Sequence, residues 1–171
     1  MKGYLHVYTG NGKGKTTAVI GQAIRAAGAG LPVLFAQFVK GMKYSEITAL
    51  ERFKDLIAVR QYGRGCFIER EASGEDIAEA CKGLEEIEKV LSAGAYRLVV
   101  LDEANIALHY KLFSVERFLS VLDKRRMDCD IVVTGRYAPQ ELLDAADVVT
   151  EMKEIKHYYT KGVVARVGIE R

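Results

Sequence analysis

The chain has 171 residues, of which 49% are apolar and 28% are charged. This length and balance exclude a disordered chain and predict a single domain over residues 1–171. The formal net charge of +2 gives no electrostatic reason to expect binding to nucleic acid or to an anionic membrane.

The cysteines and the first residues of the chain indicate the cellular compartment of the protein. Cys66, Cys81 and Cys129 are far apart and form no C-x-x-C pair, which favours a reducing compartment and no disulfide framework. Residues 4–8 already form an apolar run, so there is no room for a cleavable signal peptide. No apolar run approaches membrane-spanning length. We therefore expect a cytoplasmic protein.

Short apolar runs alternate with helical patterns along the whole chain, as in an α/β fold with a mostly parallel sheet flanked by helices. The predicted strands lie near residues 4–8, 32–38, 56–61, 97–102, 130–134, 147–151 and 163–168. The first predicted helix ends near Ala27. The second begins at Ser73, which forms a capping-box pattern with Asp76. Two further helices are predicted to begin at Ser114 and at Pro139.

A glycine-rich loop lies between the first predicted strand and the first predicted helix. After Thr9 it consists of Gly10, Asn11, Gly12, Lys13, Gly14, Lys15, Thr16 and Thr17. This pattern predicts a P-loop whose backbone N–H groups hold a triphosphate, with Lys15 on phosphate oxygens and the Thr16 hydroxyl on Mg²⁺. A plain glycine turn is the alternative. The strict pattern has glycine where Thr9 stands, so the phosphates need not lie in the usual order.

Two acids, Asp102 and Glu103, follow the apolar strand predicted at 97–102. Parallel strands present ligands at their carboxyl ends, and carboxylates are suitable for Mg²⁺. We expect these residues to hold Mg²⁺ directly or through water, and in an ATPase Glu103 could orient the attacking water instead. The alternative is an acidic strand end that faces solvent.

Arg136 follows another apolar strand and the turn residue Gly135. It is expected either to contact a phosphate or a substrate carboxylate, or to be an ordinary surface arginine. His6, His109 and His157 are scattered, and no nucleophile–base set can be assembled around them. The chemistry we expect is therefore positioning plus stabilisation of a phosphate leaving group, with the nucleophile supplied by a second substrate.

Several segments together resemble the ATP:corrinoid adenosyltransferases that act on cobalamin and cobyrinic acid a,c-diamide. They occur in the family's order over nearly the whole chain: residues 9–17, 37–41, 101–103, 134–136 with 138–139, 151–152 with 156–157, and 168–170. The resemblance implies a homodimeric enzyme with a RecA-like P-loop fold. Such an enzyme transfers the 5′-deoxyadenosyl group of ATP to Co(I) of a corrinoid and releases triphosphate.

The resemblance also implies roles for residues and partners. Residues 10–16 would hold the triphosphate, with the phosphates reversed relative to most P-loop enzymes, and Thr16 and Glu103 would hold Mg²⁺. Phe67 stands where cobalamin-acting relatives carry aromatic residues that displace the lower axial ligand of cobalt, so it is expected either to contact the corrinoid in their place or to be a packed residue after a glycine turn. A corrinoid reductase or flavoprotein would supply the electron.

Other functions remain open at the level of sequence. A RecA-like ATPase would release orthophosphate without a corrinoid. A non-catalytic nucleotide- or corrinoid-binding protein would bind without turnover. A nucleoside kinase is a weaker third alternative because no clear lid segment is found.

Overall fold

Six parallel strands form one sheet in the computed structural model, which describes residues 2–65 and 72–170. The strands are β1 (Leu5–Thr9), β2 (Val33–Lys40), β3 (Ile57–Gly65), β4 (Leu98–Asp102), β5 (Asp130–Thr134) and β6 (Val148–Glu151). Their spatial order is β3-β2-β4-β5-β1-β6. The predicted α/β fold with a parallel sheet is confirmed, and each of these strands overlaps a predicted one.

Helices cover the sheet and connect its strands. They are α1 (Lys15–Gly28), α2 (Ser45–Leu50), α3 (Gly74–Ala93), α4 (Ala104–His109), α5 (Val115–Leu122) and α6 (Gln140–Ala145). The predicted capping box of α3 is confirmed, because Ser73 Oγ accepts from the Asp76 backbone N–H at 3.2 Å and the Asp76 carboxylate accepts from the Ser73 N–H at 2.9 Å. None of the described helices combines the length and the apolar character needed to cross a bilayer.

The strand predicted at 163–168 is wrong. These residues have no strand structure and run into a turn over 167–170. Val164 and Val167 are 75% and 76% exposed, so the apolar run lacks the burial that would favour a strand. The short helices α2 and α4 were not predicted, because six residues are too few to show a helical period. Pro139 precedes α6 as its N-cap rather than opening the helix.

The sheet has an apolar layer on each face, and β2 contributes to both by alternation. Leu34, Ala36 and Phe38 pack in the layer that contains α3 and α5, whereas Val33 and Phe35 pack in the layer that contains α1 and α2. Period-two alternation thus places side chains of one strand in two separate cores. Burial on both faces holds the sheet between two layers of helices. The carboxyl edge of the sheet is then the part that can bind a ligand.

The carboxyl ends of four neighbouring strands meet at this edge. Tyr8 pairs with Thr134 across β1 and β5, and Gln37 pairs with Asp102 across β2 and β4. In addition, β4 and β5 are direct neighbours. The strand β5 therefore separates the strand that precedes the P-loop from the strand that ends in Asp102. Ligands of open parallel sheets bind at such an edge.

The capping box gives a stability prediction. Ser73→Ala removes the oxygen that accepts the Asp76 N–H, so we expect the free energy of unfolding to fall by about 1 kcal/mol. Urea denaturation followed by circular dichroism measures this. The control is Ser92→Ala near the end of the same helix, where the exposed side chain makes no cap. An equal loss in both variants would contradict the capping role.

Candidate active site

A cavity of about 740 Å³ opens at the carboxyl edge of the sheet. The sequence-predicted residues that line it are Asn11, Gly12, Lys13, Gly14, Lys15, Thr16, Thr17, Glu103 and Arg136. Gly10 and Asp102 are not part of this lining and lie behind it, in contact with Lys15 and Thr16. Phe67 lies outside the described residues. The structure thus brings nearly all of the predicted site residues to one cavity.

The glycines of the P-loop allow it to pack tightly against the segment that follows β6. Gly12 N–H donates to the Met152 carbonyl at 2.6 Å. A methyl group at Gly10 would lie 2.5 Å from that carbonyl oxygen, and one at Gly12 would lie 2.6 Å from it. Gly10 and Gly14 also have φ values of 95° and 120°, which side-chain-bearing residues rarely adopt. The loop shape therefore depends on glycine at these positions.

Lys15 lies over the centre of this loop. Its ammonium group donates to the Gly10 and Gly12 carbonyl oxygens, both at 2.7 Å. Burial lowers the pKa of Lys15, the negative charge of Glu103 acts to raise it, and the positive charge of Arg136 acts to lower it. These three charged groups are therefore close enough to influence one another across the cavity.

The carboxylate of Asp102, at the end of β4, connects α1, β5 and β2 and is fully buried. Its Oδ1 accepts from the Thr16 hydroxyl at 3.0 Å and from the Thr134 hydroxyl at 2.6 Å. Its Oδ2 accepts from the Gln37 side-chain amide at 2.9 Å. A buried carboxylate is stable only when its oxygens are satisfied in this way. The alternative of a solvent-facing acidic strand end is therefore wrong for Asp102.

Lys40 and Glu103 form an ion pair beside this carboxylate. Lys40 Nζ is 3.2 Å from Glu103 Oε1 and 4.0 Å from Asp102 Oδ2. Burial alone would lower the pKa of Lys40, but the charges of Asp102 and Glu103 raise it. Burial raises the pKa of Glu103, and the charge of Asp102 adds to this effect while Lys40 opposes it. The pair leaves the Glu103 carboxylate at the cavity wall.

Glu103 is held in a left-handed backbone conformation, with φ of 58°. Its N–H donates to the Thr134 hydroxyl at 3.1 Å, so the same hydroxyl that donates to Asp102 also fixes the turn at Glu103. Left-handed backbone at a non-glycine residue is strained and is concentrated at functional sites. The turn places the Glu103 carboxylate beside Lys40 and at the cavity lining.

The loop after β5 forms the opposite rim. The Asn105 side-chain amide donates to the Gly135 carbonyl at 2.9 Å, and Arg136 and Tyr137 follow at the cavity lining. Tyr137 has φ of 60°, and its ring centre lies 4.4 Å from that of His109. Arg136 therefore faces the cavity, whereas His109 contacts a rim tyrosine.

Sequence reasoning assigned no chemistry to several residues of the site. Gln37 and Lys40 gave a readable signal, because one is a polar residue inside the otherwise apolar strand predicted at 32–38 and the other is a charged residue just beyond it. Tyr137 gave no such signal, since the positive φ angle that places it at the rim cannot be predicted from a single sequence. His157 and the carboxy-terminal residues Gly168, Ile169 and Glu170 also line the cavity. Their position depends on long-range folding of the chain end.

Comparison with known proteins decides the family. The sequence profile of the ATP:corrinoid adenosyltransferases BtuR/CobO/CobP matches residues 1–171. The chain belongs to this family. The corrinoid adenosyltransferase of Pseudomonas aeruginosa is 36% identical over 170 residues, covering 99% of this chain and 84% of that protein. That of Escherichia coli K12 is 33% identical over 171 residues, covering 99% and 86%.

The fold is shared more widely than the family. The flagellar accessory protein FlaH of Methanocaldococcus jannaschii superposes with a TM-score of 0.62 at 9% identity, over 88% of this chain and 71% of that one. This likeness supports the RecA-like fold and carries no functional argument. Membership of the adenosyltransferase family, in contrast, makes the chain an enzyme of ATP-dependent adenosyl transfer to a corrinoid. The ATPase and the non-catalytic binding protein are not favoured.

The hydroxyl of Thr134 gives the prediction for this site. Thr134→Val keeps the side-chain shape but removes the partner of both Asp102 Oδ1 and the Glu103 N–H. We expect the free energy of unfolding to fall by about 1–3 kcal/mol, since buried polar groups lose their hydrogen bonds, and the KM for ATP to rise. Urea denaturation and steady-state kinetics measure these. Thr150→Val on the exposed strand β6 is the control, and equal effects in both variants would refute the role of Thr134.

Proposed function

We propose that the P-loop holds the triphosphate of ATP as a leaving group while C5′ is transferred to Co(I) of the corrinoid. The Co–C5′ bond forms, the C5′–O5′ bond breaks, and its electron pair leaves with the triphosphate. The observation that carries this proposal is the convergence of Lys13, Lys15 and Arg136 on the P-loop cavity. Cations placed in advance around a departing polyanion stabilise the transition state more than the ground state.

Each residue would contribute through position and charge. The backbone N–H groups of the P-loop and the start of α1 favour an anion. Lys15 is partly buried, so its charge acts on the phosphates with less screening than a surface lysine would have. Reduced cobalt is itself a strong nucleophile, so the protein need only align C5′ with cobalt and stabilise the leaving group.

We propose that Thr16, Asp102 and Glu103 hold Mg²⁺, with Asp102 acting from behind the cavity wall through its hydrogen bond with the Thr16 hydroxyl. The Thr16 hydroxyl directs its proton to Asp102, which leaves its oxygen lone pairs for a cation. Glu103 presents a carboxylate at the cavity wall, and these oxygen donors suit a hard ion that keeps several waters and binds phosphates. Bound Mg²⁺ would neutralise part of the triphosphate charge.

The remaining proposals rest on the family alone. We propose a homodimer that works in the cytoplasm, accepts cobalamin or cobyrinic acid a,c-diamide, and receives reduced corrinoid from a reductase or flavoprotein. Residues 1–171 would act as one P-loop domain. Phe67 is proposed to contact the corrinoid.

The role of Lys15 can be tested with chemically reduced corrinoid, ATP and Mg²⁺, following the absorbance of the adenosylated product. Lys15→Ala should lower kcat by about 100-fold or more and leave the Kd for the corrinoid within about twofold. Lys54→Ala, at an exposed position outside the cavity, is the matched control. Equal losses of turnover and corrinoid binding would count against the role of Lys15. No spectral change with the wild type, with ATP left intact, would reject the function itself.

The Lys40–Glu103 pair gives a pH prediction. If ionised Glu103 is required, activity falls as the pH falls through its pKa, which burial raises above the usual glutamate value. Lys40 opposes that shift, so Lys40→Met should raise the pKa of Glu103 further and move the acid limb of the kcat/KM profile to higher pH. Lys43→Met, at an exposed ion pair, is the control. An unchanged acid limb, or a shift to lower pH, would contradict this assignment.

A further inference from the structure

The chain end carries a polar cluster that the proposed mechanism does not use. We call it the carboxy-terminal clasp and define it as Tyr158, Arg166 and Glu170. The Glu170 carboxylate accepts from the Arg166 backbone N–H at 2.8 Å and from its guanidinium at 3.2 and 3.3 Å. It also accepts from the Tyr158 hydroxyl. The Arg166 guanidinium lies 5.1 Å from the centre of the Tyr158 ring.

The clasp shapes a segment that no strand supports. Residues 163–166 are irregular and the chain then turns over 167–170. The backbone N–H groups of Ile169 and Glu170 both donate to the Arg166 carbonyl, at 3.3 and 3.0 Å. Gly168 allows this turn through its φ of 77°. One carboxylate therefore joins the start of the segment to its end.

The closed turn contacts the P-loop. Lys13 Nζ donates to the Ile169 carbonyl at 2.7 Å and lies 3.6 Å from Glu170 Oε1. Gly168, Ile169 and Glu170 line the same cavity as the P-loop. Ile169 is apolar yet 55% exposed, so it offers apolar surface near the cavity. The turn thus both orients a P-loop cation and forms part of the cavity wall.

We infer that Glu170 is a positioning residue for ATP, which acts through the clasp to hold the Gly168–Ile169 turn against Lys13. This inference rests on the proposed role of the P-loop as the triphosphate site. Arg166 first and the Tyr158 hydroxyl second hold the pKa of Glu170 at about 2. The carboxylate is therefore charged at any pH at which the enzyme would be assayed, and the clasp is closed under those conditions.

Two variants test the inference from both sides of the clasp. Glu170→Gln keeps the side-chain shape and removes its charge, whereas Arg166→Gln breaks the clasp and leaves Glu170 in place. We expect each variant to raise the KM and the calorimetric Kd for ATP by about fivefold or more. The KM for the reduced corrinoid should stay within about twofold of the wild type. Glu154→Gln, at an exposed position of the same chain end outside the cavity lining, should match the wild type.

Three results would overturn the inference. The first is an unchanged Kd for ATP in Glu170→Gln. The second is a higher Kd for ATP in Glu170→Gln with an unchanged Kd in Arg166→Gln, which would show that the clasp does not contribute to ATP binding. The third is a parallel rise in the KM for ATP and corrinoid with a lower Tm, which would make the segment merely structural. Failure of the proposed function is distinguishable, since it would appear as the absence of adenosyl transfer by the wild type.

Discussion

The buried carboxylate of Asp102 is the interaction on which the site depends. Burial of a charged group away from water costs roughly several kcal/mol of folding free energy unless the group is paired and hydrogen-bonded. Here the hydrogen bonds come from Thr16, Thr134 and Gln37, which lie at the start of α1, the end of β5 and the body of β2. The need to satisfy one carboxylate thus holds together the start of α1, the ends of β4 and β5, and the body of β2.

This constraint also determines which charges face the cavity. Because Thr134 uses its hydroxyl for both Asp102 and the Glu103 backbone, the turn that follows β4 is fixed and Glu103 contacts Lys40. The P-loop, held at Thr16, presents Lys13 and Lys15 on the other side. The cavity therefore has the cations Lys13, Lys15 and Arg136 and the carboxylate of Glu103 in its lining, the arrangement on which the proposed polyphosphate site rests.

Much of this could be predicted from sequence because the signals are local. The P-loop, the acids Asp102 and Glu103 and six of the seven predicted strands rest on short patterns of glycine, charge and alternating burial. The strand predicted at 163–168 was wrong because local pattern does not reveal whether a run will be buried. The Lys40–Glu103 pair and the contact of Lys13 with Ile169 join residues 63 and 156 positions apart, and a single sequence contains no measure of such distances.

The phosphate product of the reaction shows directly whether the P-loop is a leaving-group site. Wild-type protein would be incubated with ATP, Mg²⁺ and chemically reduced corrinoid, and the phosphates would be separated by anion-exchange chromatography. We expect inorganic triphosphate in an amount equal to the adenosylated corrinoid. Orthophosphate or diphosphate as the primary product, formed at the same rate without corrinoid, would contradict the assignment of the P-loop as a leaving-group site.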